Sequence, residues 1–405
     1  MTLQAPVPPP GAEPESGAPE AKADLRDPAS WLPTVKVTAG AFLIALVIGA
    51  FVIAFSDDGV IESLRYFFTY PWDFFTRSAD AVWSSYSALV KGAVGSSNAI
   101  ASTLNRSAPL ICAGLGVTLA FRAGLFNIGA QGQLIIGALC AGYVGFTWNL
   151  PPFVHLIVAL IAGLVGGAVW GAIPGFLKAR TGAHEVITTI MFNYLAASVL
   201  LYALSHDAFQ RPGSDNALSP RVDDSAAFPR LNIGGFDVHG GVLIALLAGA
   251  AVWWLLERST WGFELRAVGA NAHASRTAGM SVAKVYTLAM LLAGMLAGLA
   301  ATMQVLGNQN SLSATLPGSI GFDAITVALL GRASPLGTVL AGLLFGAMSV
   351  GGVAMQASAG TPKELTDVLQ ALIVLFVAAP ALVKGILHIK ESGGGATVMA
   401  KGWGS

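Results

Sequence analysis

Cysteine is almost absent from this chain. Cys112 and Cys140, the two in 405 residues, each sit inside an apolar run without the paired spacing of a zinc or redox centre, which leaves them as small packing residues. Charge is scarce as well: Asp, Glu, Lys and Arg make up 11% of the sequence, against roughly 25% in a soluble domain. The 22 basic and 22 acidic residues cancel, and no basic stripe is interleaved with aromatics, so nucleic acid is excluded as a partner. The chain has no Gly-x-x-x-x-Gly-Lys-Ser/Thr phosphate loop, so any nucleotide energy must come from another chain. His184-Glu185 opens the pattern of a zinc protease, but Thr188 stands where its second His belongs, and no other metal set is present. Gly279-Met-Ser-Val-Ala283 lacks the closing glycine of a hydrolase elbow. An intramembrane enzyme is therefore the weakest reading, with no catalytic residues to name.

What the chain has in abundance is apolar sequence, 54% of residues with a mean hydropathy of +0.67. Crossing a bilayer core of about 30 Å takes roughly 20 helical residues. Runs of that order recur at 38–56, 103–121, 131–149, 154–177, 186–204, 240–256, 283–306, 335–355 and 366–386. A tenth, 318–331, is short and flanked by glycine, the mark of a half-length or broken helix. The fold class that follows is an all-α polytopic membrane protein of about ten transmembrane helices, some of them interrupted. Residues 1–36, rich in Pro, Ala, Gly and Glu at their start, predict a disordered tail. That tail is too acidic and Pro-rich for a cleaved signal peptide, so the first apolar run stays as an anchor of a transmembrane domain over 37–390, followed by a second tail at 391–405.

Lys and Arg near span ends favour the cytoplasm. With the N-terminus inside, every inner loop is basic: Arg122; Lys178 and Arg180; Arg258, Arg266, Arg276 and Lys284; Arg332; and Lys384, Lys390 and Lys401. Both termini are then cytoplasmic, 257–284 is the longest inner loop, and 205–239 is an extracytoplasmic loop. Acids gather on the outer segments, at Asp57, Asp58, Glu62, Asp73 and Asp80 and at Asp207, Asp215, Asp223, Asp224 and Asp237. Glycines four apart at 163, 167, 171 and 175, at 294 and 298, and at 342 and 346 predict close helix packing.

The candidate chemistry lies where helices are interrupted. Phe121-Arg-Ala-Gly-Leu-Phe-Asn-Ile-Gly-Ala-Gln-Gly-Gln133 sets a polar, glycine-rich bend between two apolar runs. Broken backbone at membrane depth must be buried in protein or line a watery cavity. Asn127, Gln131 and Gln133 offer neutral donors and acceptors suited to a polyhydroxylated or heterocyclic solute; they equally suit the broken backbone itself. Glu185, Thr188, Thr189 and Asn193 fall near one face of the next long run. Glu185 is either a functional intramembrane charge or a helix-start carboxylate stabilised by Lys178 and Arg180. Asp323 is an N-cap or a shaper of the cargo path, with Arg332 its candidate partner. An ion-coupled secondary transporter would need more intramembrane acids than these.

Four motifs in order carry a resemblance: Phe121–Gln133, Glu185-Val-Ile-Thr-Thr-Ile-Met-Phe-Asn-Tyr194, Leu265-Arg-Ala-Val-Gly-Ala-Asn-Ala-His-Ala274 and Gly321-Phe-Asp-Ala-Ile-Thr-Val-Ala-Leu-Leu-Gly331. Together they resemble permease subunits of bacterial ABC importers, in the branch that moves nucleosides and simple sugars. The likeness covers residues 85–390 and departs from the family at Gln131, often Glu there, and at His184, often Asn. It implies a type II importer-like permease in the bacterial inner membrane, a substrate pathway through Asn127, Gln131, Gln133, Thr188, Asn193 and Asp323, and nucleosides as cargo, with ribose-like sugars as the alternative. It also implies a coupling segment with Glu264, Arg266, Gly269, Asn271 and Ala274, docked on an ABC ATPase that alone binds ATP and Mg. A second, paralogous permease forming a heterodimer and an extracytoplasmic substrate-binding lipoprotein complete the implied assembly.

Overall fold

The computed structural model describes residues 28–214 and 216–388. Asp215, Lys390 and Lys401 and most of the two expected tails lie outside the described residues; the exception is 28–36, which begins the first helix. In chain order the helices are α1 (Pro28–Ser56), α2 (Asp58–Ser63), α3 (Pro71–Val94), α4 (Ser97–Arg122), α5 (Ala130–Thr147), α6 (Val154–Thr181) and α7 (Glu185–Leu204). A hairpin of β1 (Arg230–Ile233) and β2 (Phe236–His239) follows. Then come α8 (Gly241–Arg258), α9 (Thr260–Ala270), α10 (Ala272–Thr277), α11 (Val282–Thr302), α12 (Ile320–Leu330), α13 (Pro335–Ala359), α14 (Lys363–Ala378) and α15 (Pro380–Ile386).

Among the described residues seven helices are long and apolar enough to cross a bilayer: α1, α4, α6, α7, α8, α11 and α13. An eighth span results if α14 and α15, bent by 91° at Pro380, count as one. The bend has a plain cause, since proline brings no N–H to the ladder. The other two apolar runs in the round figure of ten are α5, which opens on Gln131 and Gln133, and α12, only 11 residues long. Two features were not foreseen. Residues 71–94, read as part of an acidic outer segment, form the 24-residue helix α3, and 303–309 continue α11 as a π-helical turn.

Local chemistry sets the ends of these elements. Ser96 accepts from the Ala99 N–H at 3.1 Å to start α4, and Ser334, followed by Pro335, accepts from Gly337 at 3.3 Å to start α13. Gly182 after α6 and Gly360 after α13 adopt φ of 69° and 68°, the left-handed cap that a side chain disfavours.

Burial then orders the bundle. In α4 and α11, 78% of the apolar window is buried, against 22–28% in α6, α7 and α8, so the first two are the hub and the others present apolar side chains to lipid. Gly163, Gly167 and Gly171 of α6 meet Gly294 and Gly298 of α11 nearly backbone to backbone, while Gly175 lies against Met290 and Tyr286. A Cβ added to Gly167 would lie 2.8 Å from the Cα of Gly298. Gly342 and Gly346 likewise seat α13 on Ile111 and Ser107 of α4. A smaller apolar cluster, including Val37, Ala41, Ala45, Leu369, Ile373 and Phe376, joins α1 to α14.

Candidate functional site

Between Arg122 and Ala130 the backbone leaves the helix, and α5 begins with amide N–H groups that its own turn cannot satisfy. Side-chain amides fill the gap. Asn127 Oδ1 accepts from the Gly129 N–H at 2.9 Å, and its Nδ2 donates to Gln133 Oε1 at 3.1 Å. Asn193, reaching across from α7, accepts from the Gly132 N–H at 2.8 Å and donates to the Ile128 carbonyl at 2.9 Å. Gln131 spans two helix starts, donating to the Gly318 carbonyl and accepting from the Gly321 N–H, both at 2.8 Å. The interrupted starts of α5 and α12 are thereby pinned to each other. Asn127 and Gln133 are each 1% exposed, so these amides face protein.

The remaining positions on α7 resolve in the same way. Thr188 and Thr189 donate to the Glu185 carbonyl of their own helix at 3.0 and 2.7 Å. The Glu185 carboxylate pairs with Lys178 Nζ at 2.8 Å, fastening the start of α7 to the end of α6.

The segment after α8 is built by two caps. Ser259 accepts from the Gly262 N–H at 2.9 Å to start α9, and Asn271 accepts from Ala274 at 2.9 Å to start α10. Gly269 lies against the backbone of Arg122, Ala123 and Gly124, so α9 touches the bend directly. Arg122 Nε donates to the Ala333 carbonyl at 2.7 Å, bringing the loop after α12 to the same end of the bundle. On α9, Arg266 Nη1 is buried without a hydrogen-bond partner and Glu264 is half-buried, whereas Trp261 and Phe263 are exposed and so is Ala274 on α10.

Asp323 and Arg332 do not meet, because α12 separates them end from end. Asp323 instead accepts from Ser319 Oγ at 2.7 Å and lines a small polar cavity with Arg106, Ser349, Lys363 and Asp367. Arg106 is not among the candidates named from the sequence, although an arginine inside the apolar run 103–121 is rare enough to mark a candidate site. Lys363 and Asp367 were harder to find, because they stand at the edge of their run.

Residues 99–378 match the family described as branched-chain amino acid transport system, permease component. The chain is 41% identical to the guanosine ABC transporter permease protein NupP of Bacillus subtilis, over 78% of this chain and 91% of that one. It is 36% identical to the glucose ABC transporter permease protein TsgB13 of Haloferax volcanii, over 70% and 77%. To the nucleoside ABC transporter permease protein NupB of Lactococcus lactis it is 34% identical, over 76% and 86%. No solved structure matches the chain. With interrupted helices pinned at its centre, a capped segment pressed on the bend and a family match across most of its length, this chain belongs to the branched-chain amino acid transport system permease family and is the membrane-spanning permease subunit of an ABC importer.

Proposed function

We propose that this permease translocates nucleosides. The observation that carries the reading is the 41% identity, over 78% of this chain and 91% of the relative, to a permease named for guanosine. A simple sugar is the second reading, favoured by the 36% identity to a permease named for glucose. An ABC permease works with an ATPase subunit and a substrate-binding protein. The finer arrangement is part of this proposal: the partner permease is a paralogue, both termini are cytoplasmic, 37–390 is the permease domain and 205–239 is extracytoplasmic. The loop 257–284 docks on the ATPase through Glu264, Arg266, Gly269, Asn271 and Ala274, the contact of Gly269 with the bend supporting that role.

In this proposal Asn127, Gln131, Gln133, Thr188 and Asn193 wall the pathway by holding its broken helices, while Asp323 faces the solute. Glu185 and Arg332 brace the same end of the bundle. Reconstitution of the full transporter in proteoliposomes tests the cargo. ATP-dependent uptake of labelled guanosine, competed by other nucleosides and not by glucose, is the expected result; glucose uptake without guanosine uptake overturns it. Uptake that persists without ATP and stops when an ion gradient is collapsed would contradict ATP-driven transport.

A further inference from the structure

Two adjoining cavities share Arg106, Ser349 and Lys363. The larger, of about 560 Å³, lies between the first turns of α4, the last turns of α13 and the start of α14. The smaller, of about 60 Å³, continues from it to Asp323 of α12 and Asp367 of α14. Four ionisable side chains from three helices therefore line the two joined cavities, Arg106 and Lys363 at both and Asp323 and Asp367 at the smaller.

Their charges balance, Arg106 and Lys363 against Asp323 and Asp367, yet they do not neutralise one another by contact. Among the described residues the ion pairs are Arg77–Asp73, Lys178–Glu185 and Arg230–Asp237, none of them here. Arg106 makes one side-chain bond, Nε to Ser349 Oγ at 3.3 Å, so most of its five donors are unspent. This contrasts with the bend, where every amide of Asn127, Gln131 and Asn193 is occupied by protein.

Position sharpens the point. Arg106 is exposed on this chain and follows Asn105, whose Nδ2 donates to the Asp237 carbonyl of the hairpin at 2.8 Å, so the cavity lies at the hairpin end of the bundle. An exposed charge on an apolar helix is strongly disfavoured against lipid. The open side of the cavity must therefore meet water or the second permease.

Resting on the nucleoside reading above, we propose that this cavity is the permease's cargo-recognition site for a neutral nucleoside, with Arg106, Asp323, Lys363 and Asp367 as its polar contacts. A net-neutral lining suits an uncharged solute. Carboxylates accept from ribose hydroxyls and from the N–H edge of a base, and the guanidinium and ammonium donate to ring nitrogens and carbonyls, each a charge-assisted bond. Val350 and Val353 supply an apolar wall for the face of the base. The larger cavity alone lies within the roughly 300–1,000 Å³ of small-molecule sites, and the smaller one admits only a hydroxyl- or amino-sized edge of the solute to Asp323 and Asp367. The charges, already set against each other, bind such a solute weakly enough for it to leave.

The test uses the complete transporter in proteoliposomes, with labelled guanosine, glucose and leucine as probes. Arg106→Gln and Asp323→Asn should each lower guanosine uptake about tenfold, the loss of one charge-assisted bond, while docking of the binding protein and basal ATP hydrolysis persist. Guanosine uptake within about twofold of the unmodified transporter in both variants overturns the cavity assignment and leaves the nucleoside reading standing. Uptake of glucose or leucine and not of guanosine by the unmodified transporter overturns the nucleoside reading, and with it this site's nucleoside specificity. Should either variant fail to assemble, Ala357→Cys, on the cavity wall, decides. Saturating guanosine should slow its labelling by a membrane-impermeant thiol reagent about tenfold; unchanged labelling overturns the proposal.

Discussion

Gly124 and Gly269 touch backbone to backbone: a Cβ on Gly124 would come within 3.1 Å of the Cα of Gly269. The first lies in the bend after α4, with φ of 73°, the second on α9. Contact without side chains between them leaves little slack, so a displacement of α9 is passed to the broken helix rather than absorbed by rotamers. A methyl on Gly269 would collide with the carbonyl of Arg122. Gly269→Ala should cost about 1–3 kcal/mol of stability by overpacking and lower the solute moved per ATP hydrolysed. Wild-type coupling and melting temperature in this variant would show that the contact transmits nothing.

Asn193→Ala orphans the Gly132 N–H and the Ile128 carbonyl together, in a region closed to water. Leaving such groups unpaired costs about 1–3 kcal/mol each. The variant should melt lower than Thr188→Ala, which removes only a bond to its own helix. Equal melting temperatures, followed by scanning fluorimetry in detergent, would refute the supporting role assigned to Asn193.

Arg332 and Ala333 follow each other with φ of 53° and 47°, a conformation that costs a non-glycine residue about 1–2 kcal/mol. Replacing Ala333 by Gly should raise stability by about 1 kcal/mol, because its carbonyl bond to Arg122 survives and the Cβ clash is relieved. A fall in melting temperature would mean that the glycine's added freedom in the unfolded chain outweighs the relief.

His239 closes the hairpin by stacking on Phe228 and taking the Gly241 N–H on Nδ1. Burial first, and the nearby charge of Arg230 second, push its pKa down from 6.5 to about 4. Between those values the unfolded chain binds the proton and the folded one does not, so stability falls as pH drops through that window and is fully present above it. His239→Gln should flatten this part of the pH–stability curve, read as melting temperature from pH 7 to pH 4. An unchanged slope would place the acid sensitivity elsewhere.

The membrane-spanning class, the order of the long apolar helices and the position of the bend are legible from the sequence, because lipid permits only internally bonded backbone; the count of about ten is not, since seven helices, or eight with the bent pair, are long and apolar enough among the described residues. The motif Leu265–Ala274 could be singled out without coordinates, and its coupling role belongs to the proposal above. So could the glycine ridges, since a residue with no side chain has no other use at four-residue spacing inside a helix.

The sequence left the amides undecided between solute and backbone; the tertiary structure shows their protein partners. Asn193 stands 61 residues from Gly132, and Gln131 stands 190 from Gly321. No local pattern encodes such partners, because they arise only when separate helices pack. α3 escaped notice because its charged and aromatic residues dilute an amphipathic pattern below the apolarity of a span. Asp323 and Arg332 are candidate partners by proximity in sequence, but the helix holds them at opposite ends and packing brings Asp323 and Arg106 to one cavity. Hydropathy, a sum over neighbours in the chain, thus determined that this protein spans a membrane. Which polar groups hold the scaffold together depends on contacts between distant segments, and only the fold decided it.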